Sequence, residues 1–186
     1  MNIRSLKNQL KEPIYKDDLK RVILNGLLFT VLFSLLAGAL QFFTETYLHL
    51  SMAIFIFLIA FMVGKKISES YFTFHIIYPC FAVLCFLIGY ALYNFTKIFF
   101  IFRDFKIAAD LVFSSVGLNY MFGFFNIATY TGINALYNII DILIFVGSII
   151  TAWQFVWRHR YFKLHHFGGV FIYILYKKIK FYLFLF

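Results

Sequence analysis

The chain has 186 residues, 63% of them hydrophobic and 13% charged, with a net charge of +9. That length fits one domain, and a soluble fold of this size has no room to hide so much apolar surface. The basic residues flank apolar runs, which makes them topology signals rather than a nucleic-acid surface, and two cysteines are too few for a disulfide framework or a zinc site.

Residues 1–21 form a polar leader with mixed charge. Its Arg4, Lys7, Lys11, Lys16, Lys20 and Arg21 place it in the cytoplasm by the positive-inside rule. Within it, KEPIYKDD reads as a turn or a helix start. The first span is expected over 22–43. Ala37-Gly38-Ala39 has the look of a signal-peptidase site, but the apolar run exceeds a signal core and the leader is long, so the span is read as retained. Thr30, Ser34, Ala37, Gly38, Gln41 and Glu45 share one helical face. Small residues on such a face let helices approach closely in lipid.

A second span is expected over 47–64, with Ala60 and Gly64 repeating the small-residue spacing and Lys65-Lys66 marking a cytoplasmic end. A short connection then forces an antiparallel third helix. That helix is read as 71–96 within a long apolar run, Tyr71 to Phe102, where Pro79 offers a kink. His75, Tyr78, Ala82, Cys85, Gly89, Tyr93 and Thr96 fall on one face and should pack inside, with the Phe-rich remainder toward lipid.

Residues 107–128 are ambiguous. Asp110, Ser114, Ser115, Gly117, Asn119, Gly123 and Asn126 interrupt a moderately apolar run, which suits a weak span, a re-entrant segment or an outer-surface helix. The last strong span is 133–157, ending at Trp157-Arg158-His159-Arg160, a belt residue before a basic cluster. The tail, 161–186, has an apolar stretch too short to span and reads as a basic, aromatic interfacial segment.

The fold class is therefore an all-α polytopic transmembrane bundle of four spans over 22–160, with five or six spans as alternatives. Four spans put every lysine and arginine inside except Lys97, Arg103 and Lys106. Both termini are then cytoplasmic. The compact form and the lack of targeting features point to a bacterial plasma membrane.

Asp141 is the sharpest chemical signal, because a carboxylate within a span costs at least about 2.5 kcal/mol to insert. Asn134, Asn138, Asp141 and Ser148 lie on one face. One reading is a cation, proton or polar-substrate site formed by Asp141, Asn138 and Asn134 with His75 and Gln41. The other is interhelical glue. A Cys/His enzyme ranks below both, since His75 and Cys80 point roughly 140° apart on an ideal helix. His159, His165 and His166 are weak evidence for a metal without further ligands, and no cofactor motif is present. The leading function is thus a small transporter, channel or transporter subunit. The rival is a non-catalytic scaffold or accessory subunit, and the third is an intramembrane enzyme. The partners expected are the lipid bilayer and another membrane protein or a second copy, with no nucleic acid. The motifs match no family pattern.

Overall fold

A computed structural model describes residues 13–48, 54–114, 122 and 133–164, with side chains of the last helix described over 138–157. The described residues form five helices and no strand: α1 (Lys16–Leu48), α2 (Ile54–Ser70), α3 (Ile77–Phe102), α4 (Phe105–Phe113) and α5 (Ile133–Leu164). Among them, three are long and apolar enough to cross a membrane: Lys16–Leu48, Ile77–Phe102 and, within α5, Asn138–Trp157. By length and composition the chain is compatible with a membrane protein. Its outer surface agrees, since Leu24 is 63% exposed, Leu32 55%, Leu36 55% and Leu143 66%. So much exposed apolar surface suits lipid, whereas soluble monomers rarely show contiguous apolar patches beyond a few hundred Å². The α2 helix, at 17 residues, sits at the lower edge of spanning length.

The long helices alternate in direction. Gly26 of α1 meets Ile67 near the end of α2, and Gly38 meets Tyr93 and Thr96 far along α3. Gly64 of α2 lies against Ala152 and Phe155 of α5, while Phe145 of α5 stacks near Phe86 and Tyr90 of α3. Helices α1 and α5 each pack on both α2 and α3, which form the shared centre. One end of this bundle carries Lys16, Lys20, Arg21, Lys65 and Lys66 and is here called the basic end. The opposite end carries Glu45 and Lys97.

Small residues set the spacing, as the periodicity predicted. On α1, Thr30, Ser34, Ala37, Gly38 and Gln41 are all buried, and on α3 so are Tyr78, Ala82, Cys85, Gly89, Tyr93 and Thr96. A Cβ on Gly38 would come within 2.6 Å of the Tyr93 carbonyl oxygen and 2.7 Å of Thr96 Cβ. A Cβ on Gly89 would lie 2.7 Å from Ser34 Oγ. Backbones this close gain dispersion contacts that larger side chains would forbid. Thr30, Thr96 and Ser148 return their hydroxyl protons to carbonyls one turn back, at 2.6, 2.8 and 2.7 Å, and so sit in the interior without needing a partner helix.

The start of the third helix differs from the sequence expectation. It begins at Ile77 rather than Tyr71, and the segment 71–76 is a non-helical strap. Pro79 therefore sits in the first turn, where a missing N–H costs nothing, rather than within the helix interior. His75 closes that turn: its Nδ1 accepts from Ile77 N at 3.2 Å and its carbonyl accepts from Tyr78 N at 3.0 Å. With Pro79 lacking a donor, the first three positions leave no backbone donor unanswered.

At the other end of α3, Arg103 takes a left-handed conformation (φ 53°) and donates its N–H to the Phe99 carbonyl at 2.7 Å. The reversal costs a non-glycine residue roughly 1 kcal/mol. Asp104 then caps α4, its carboxylate accepting from Lys106 N and Ile107 N at 2.8 and 3.2 Å. Helix α4 folds back on α3, with Phe105 and Phe113 both against Phe95. Nine residues span about 13 Å, too short to cross a bilayer. Beyond α4, Phe122 packs on Tyr90 and Phe145. The rest of 107–128, and the tail from 165 on, lie outside the described residues.

Candidate functional site

The polar contacts between elements lie toward the two ends of the bundle, with Asp18, Asn25 and Tyr71 at one and Glu45 and Lys97 at the other. At the basic end the centre is Asp18, only 5% exposed in the first turn of α1. One of its oxygens, Oδ2, accepts from Phe72 N at 3.0 Å, Thr73 N at 3.0 Å and Thr73 Oγ1 at 2.8 Å. A carboxylate in a low-dielectric site needs such donors to offset its desolvation. The strap's amides, having no helix to bond within, need an acceptor in turn. Each solves the other's problem, and the outcome is a tether between α1 and the α2–α3 connection.

Other contacts fix the same strap. The Arg21 guanidinium lies 5.6 Å from the Phe72 ring centre. Asn25 Nδ2 donates to Ser70 Oγ at 3.0 Å, and Ser70 Oγ donates to the Lys66 carbonyl at 2.7 Å. On the opposite side the Tyr71 hydroxyl donates to the Val156 carbonyl of α5 at 2.7 Å. Burial pushes the Tyr71 hydroxyl above the usual tyrosine range, and neighbouring Tyr78 adds to the shift. Phe74 meets Trp157 edge-on, which places an aromatic layer beside the basic residues, as at a membrane interface. The strap thus joins α1 to α5 across the basic end. Tyr78, fully buried, has a hydroxyl with no hydrogen-bond partner among the described residues.

At the far end, Lys97 Nζ pairs with Glu45 at 2.8 Å, and Gln41 Nε2 donates to Glu45 Oε1 at 2.6 Å. Asn138 is half-buried, its Nδ2 enclosed without a partner among the described residues. Asp141 follows on the same helix face and is exposed.

The residues singled out from the sequence therefore fall into two groups. Gln41, Asn138 and Asp141 belong to the far end. His75, 3% exposed, belongs to the basic end, where it caps α3. Phe74 contacts Trp157, which is roughly 24 Å along α5 from Asp141 at the usual helical rise. His75 and Asp141 are not brought together. The side chain of Asn134 lies outside the described residues, as do His159, His165 and His166. Cys80 is exposed and Cys85 buried. Among the described residues no three His, Cys, Asp or Glu side chains converge as metal ligands.

Asp18 is the residue that the sequence reading passed over. Periodicity gave little sign of it: steps of four residues lead back from Thr30 through Gly26 and Val22 to Asp18, all of them buried, but at the usual helical period Asp18 stands roughly 120° from Thr30. What buries it is the strap, which one helix alone does not reveal. In the sequence Lys97 reads as a topology charge, and its pairing with Glu45 depends on the α1–α3 register, which one helix alone does not reveal. The chain matches no protein-family model, no curated protein and no solved structure.

Proposed function

We propose that the protein is a non-catalytic, multi-pass membrane scaffold or accessory subunit, built as a four-span bundle with its basic end in the cytoplasm. In this reading α2 is the fourth span, and the strap 71–76 lies at the cytoplasmic surface. The Lys and Arg residues at that end support the orientation. The observation that carries the functional reading is the Asp18 tether. The most elaborate polar constellation among the described residues spends its donors and acceptors on joining α1 to the strap. Tyr71 and Asn25 do the same for neighbouring elements. Polar groups used this way act as glue.

The test is purification from native membranes in a mild detergent, followed by mass spectrometry of what accompanies the chain. A stoichiometric protein partner that survives dilution supports an accessory role. A chain that purifies alone, with a bound small solute or ion, refutes it.

A second reading rests on a separate observation: exposed Asp141 follows half-buried Asn138 on one face, and Asn138 Nδ2 is enclosed without a partner among the described residues. Such a face suits a transport or ion site. On that reading Asp141→Asn abolishes function at unchanged abundance. If the residue is glue, Asp141→Asn lowers abundance instead.

A further inference from the structure

Asp141 faces the inside of the bundle and is nevertheless exposed. At the usual helical period it stands within about 20° of Ser148 and Ala152, both fully buried. Counted from Trp157 at the basic end it lies about 24 Å along α5, about 6 Å short of crossing a 30 Å hydrocarbon core. We infer that the far end of the bundle holds a water-filled vestibule, lined by Asp141 and floored where the chain re-enters the bundle at Phe122. It admits water and small hydrophilic solutes from that side. The inference rests on the membrane-spanning reading and holds for a scaffold or a transporter alike.

Direction, depth and exposure agree. Phe74 meets Trp157 and Tyr90 meets Phe145, so α3 and α5 run antiparallel and α5 begins at the end where α3 stops. The chain between them therefore cannot cross the bundle once. Helix α4 turns back along α3, with Phe105 and Phe113 against Phe95. Phe122, a turn residue, goes deeper, its ring centre 6.1 Å from that of Tyr90 and 5.8 Å from that of Phe145. Phe145 is about 18 Å along α5 from Trp157, close to the middle of the core. The chain thus nears mid-depth at Phe122 and returns to the end it left. Non-helical backbone at that depth is tolerated only beside protein or a watery cavity. Tyr90 and Phe145 supply the protein below. Asp141, one turn above Phe145, calls for water, because a carboxylate among lipid tails is costly and no salt bridge among the described residues reaches it. Ile139 and Leu143, two residues to either side, are exposed about 160° away, on the lipid face.

The test is cysteine modification of the full chain, lacking Cys80 and Cys85, in membrane fragments open to both sides, with a charged methanethiosulfonate. The reagent needs a thiolate, which forms in water and not among lipid tails. Asp141→Cys should react about tenfold faster than Ile139→Cys or Leu143→Cys, although Ile139 lies nearer the far end. Equal rates at the three positions overturn the inference, whether all react or none does. Phe122→Cys with Phe145→Cys should crosslink through a short bifunctional thiosulfonate in the same membranes. This pair leaves Asp141 in place, and its failure to crosslink removes the re-entrant floor and overturns the inference too. Release of the chain from membranes by alkaline carbonate refutes the membrane-spanning reading itself, a result separate from equal labelling of an embedded chain.

Discussion

Replacing Asp18 is the most informative perturbation of the bundle. Its Oδ2 receives three hydrogen bonds, two from backbone amides of the strap and one from Thr73 Oγ1. A hydrogen bond to a charged group contributes about 1.5–3 kcal/mol. Phe72 and Thr73 are exposed at the bundle end, so water can answer their freed donors, and the loss is smaller than three full bonds. Asp18→Ala should therefore cost about 3 kcal/mol. Asp18→Asn can place its amide oxygen where Oδ2 sits, and since all three donors converge on that one atom it should cost only about 1 kcal/mol. Reversible unfolding in mixed micelles measures both. Hydrogen exchange locates the effect: the amides of Phe72 and Thr73 should lose protection in Asp18→Ala, while those of the α3 interior keep theirs. If Asp18→Ala unfolds like the wild type and the strap amides exchange unchanged, the tether contributes nothing and the reasoning fails.

Four further outcomes follow from local geometry. Gly38→Ala should destabilise by about 1–3 kcal/mol, because its Cβ meets the Tyr93 carbonyl and neither backbone can yield without parting the helices. Gly147→Ala, with nothing within 4 Å, should be neutral or stabilising by up to about 1 kcal/mol in the same unfolding assay. Tyr71→Phe should cost about 1 kcal/mol near neutral pH, where the hydroxyl bonds Val156. The Tyr71 pKa is raised in the fold, so the unfolded chain ionises first. The advantage of tyrosine is thus complete below about pH 10 and shrinks above it, which paired unfolding curves will show. N-ethylmaleimide in detergent should modify exposed Cys80 well before buried Cys85, read by peptide mass mapping; equal rates would contradict the packing of α3.

Much of the packing was legible in the sequence because helix periodicity and small-residue spacing act within one element. Thr30, Ser34, Gly38, Cys85, Gly89 and Tyr93 could be assigned inward from their spacing alone, and the structure buries them all. The strap was not legible. Tyr71 to Ile76 carries no glycine or proline to break a helix, and what keeps it from being helical is tertiary: Asp18 claims the amides of Phe72 and Thr73, and Tyr71 reaches Val156. Pro79 was the local clue, since proline belongs in a first turn more readily than in a helix interior. The candidate site was legible only as separate residues. Gln41, His75 and Asp141 each stand out in their own helices, but which of them share a level depends on helix register. That register, set by contacts such as Gly38 on Tyr93 and Phe145 on Phe86, leaves His75 and Asp141 apart.

A four-span bundle requires that α2 cross the membrane and return the strap to the basic side. Single cysteines at Thr46, Glu69 and Asp104, in a chain lacking Cys80 and Cys85, can be probed in intact cells with a membrane-impermeant maleimide. A four-span bundle with a cytoplasmic basic end predicts labelling at Thr46 and Asp104, and none at Glu69 until the cells are permeabilised. Labelling of Thr46 and Glu69 from the same side would mean that α2 does not span, and the account would be wrong.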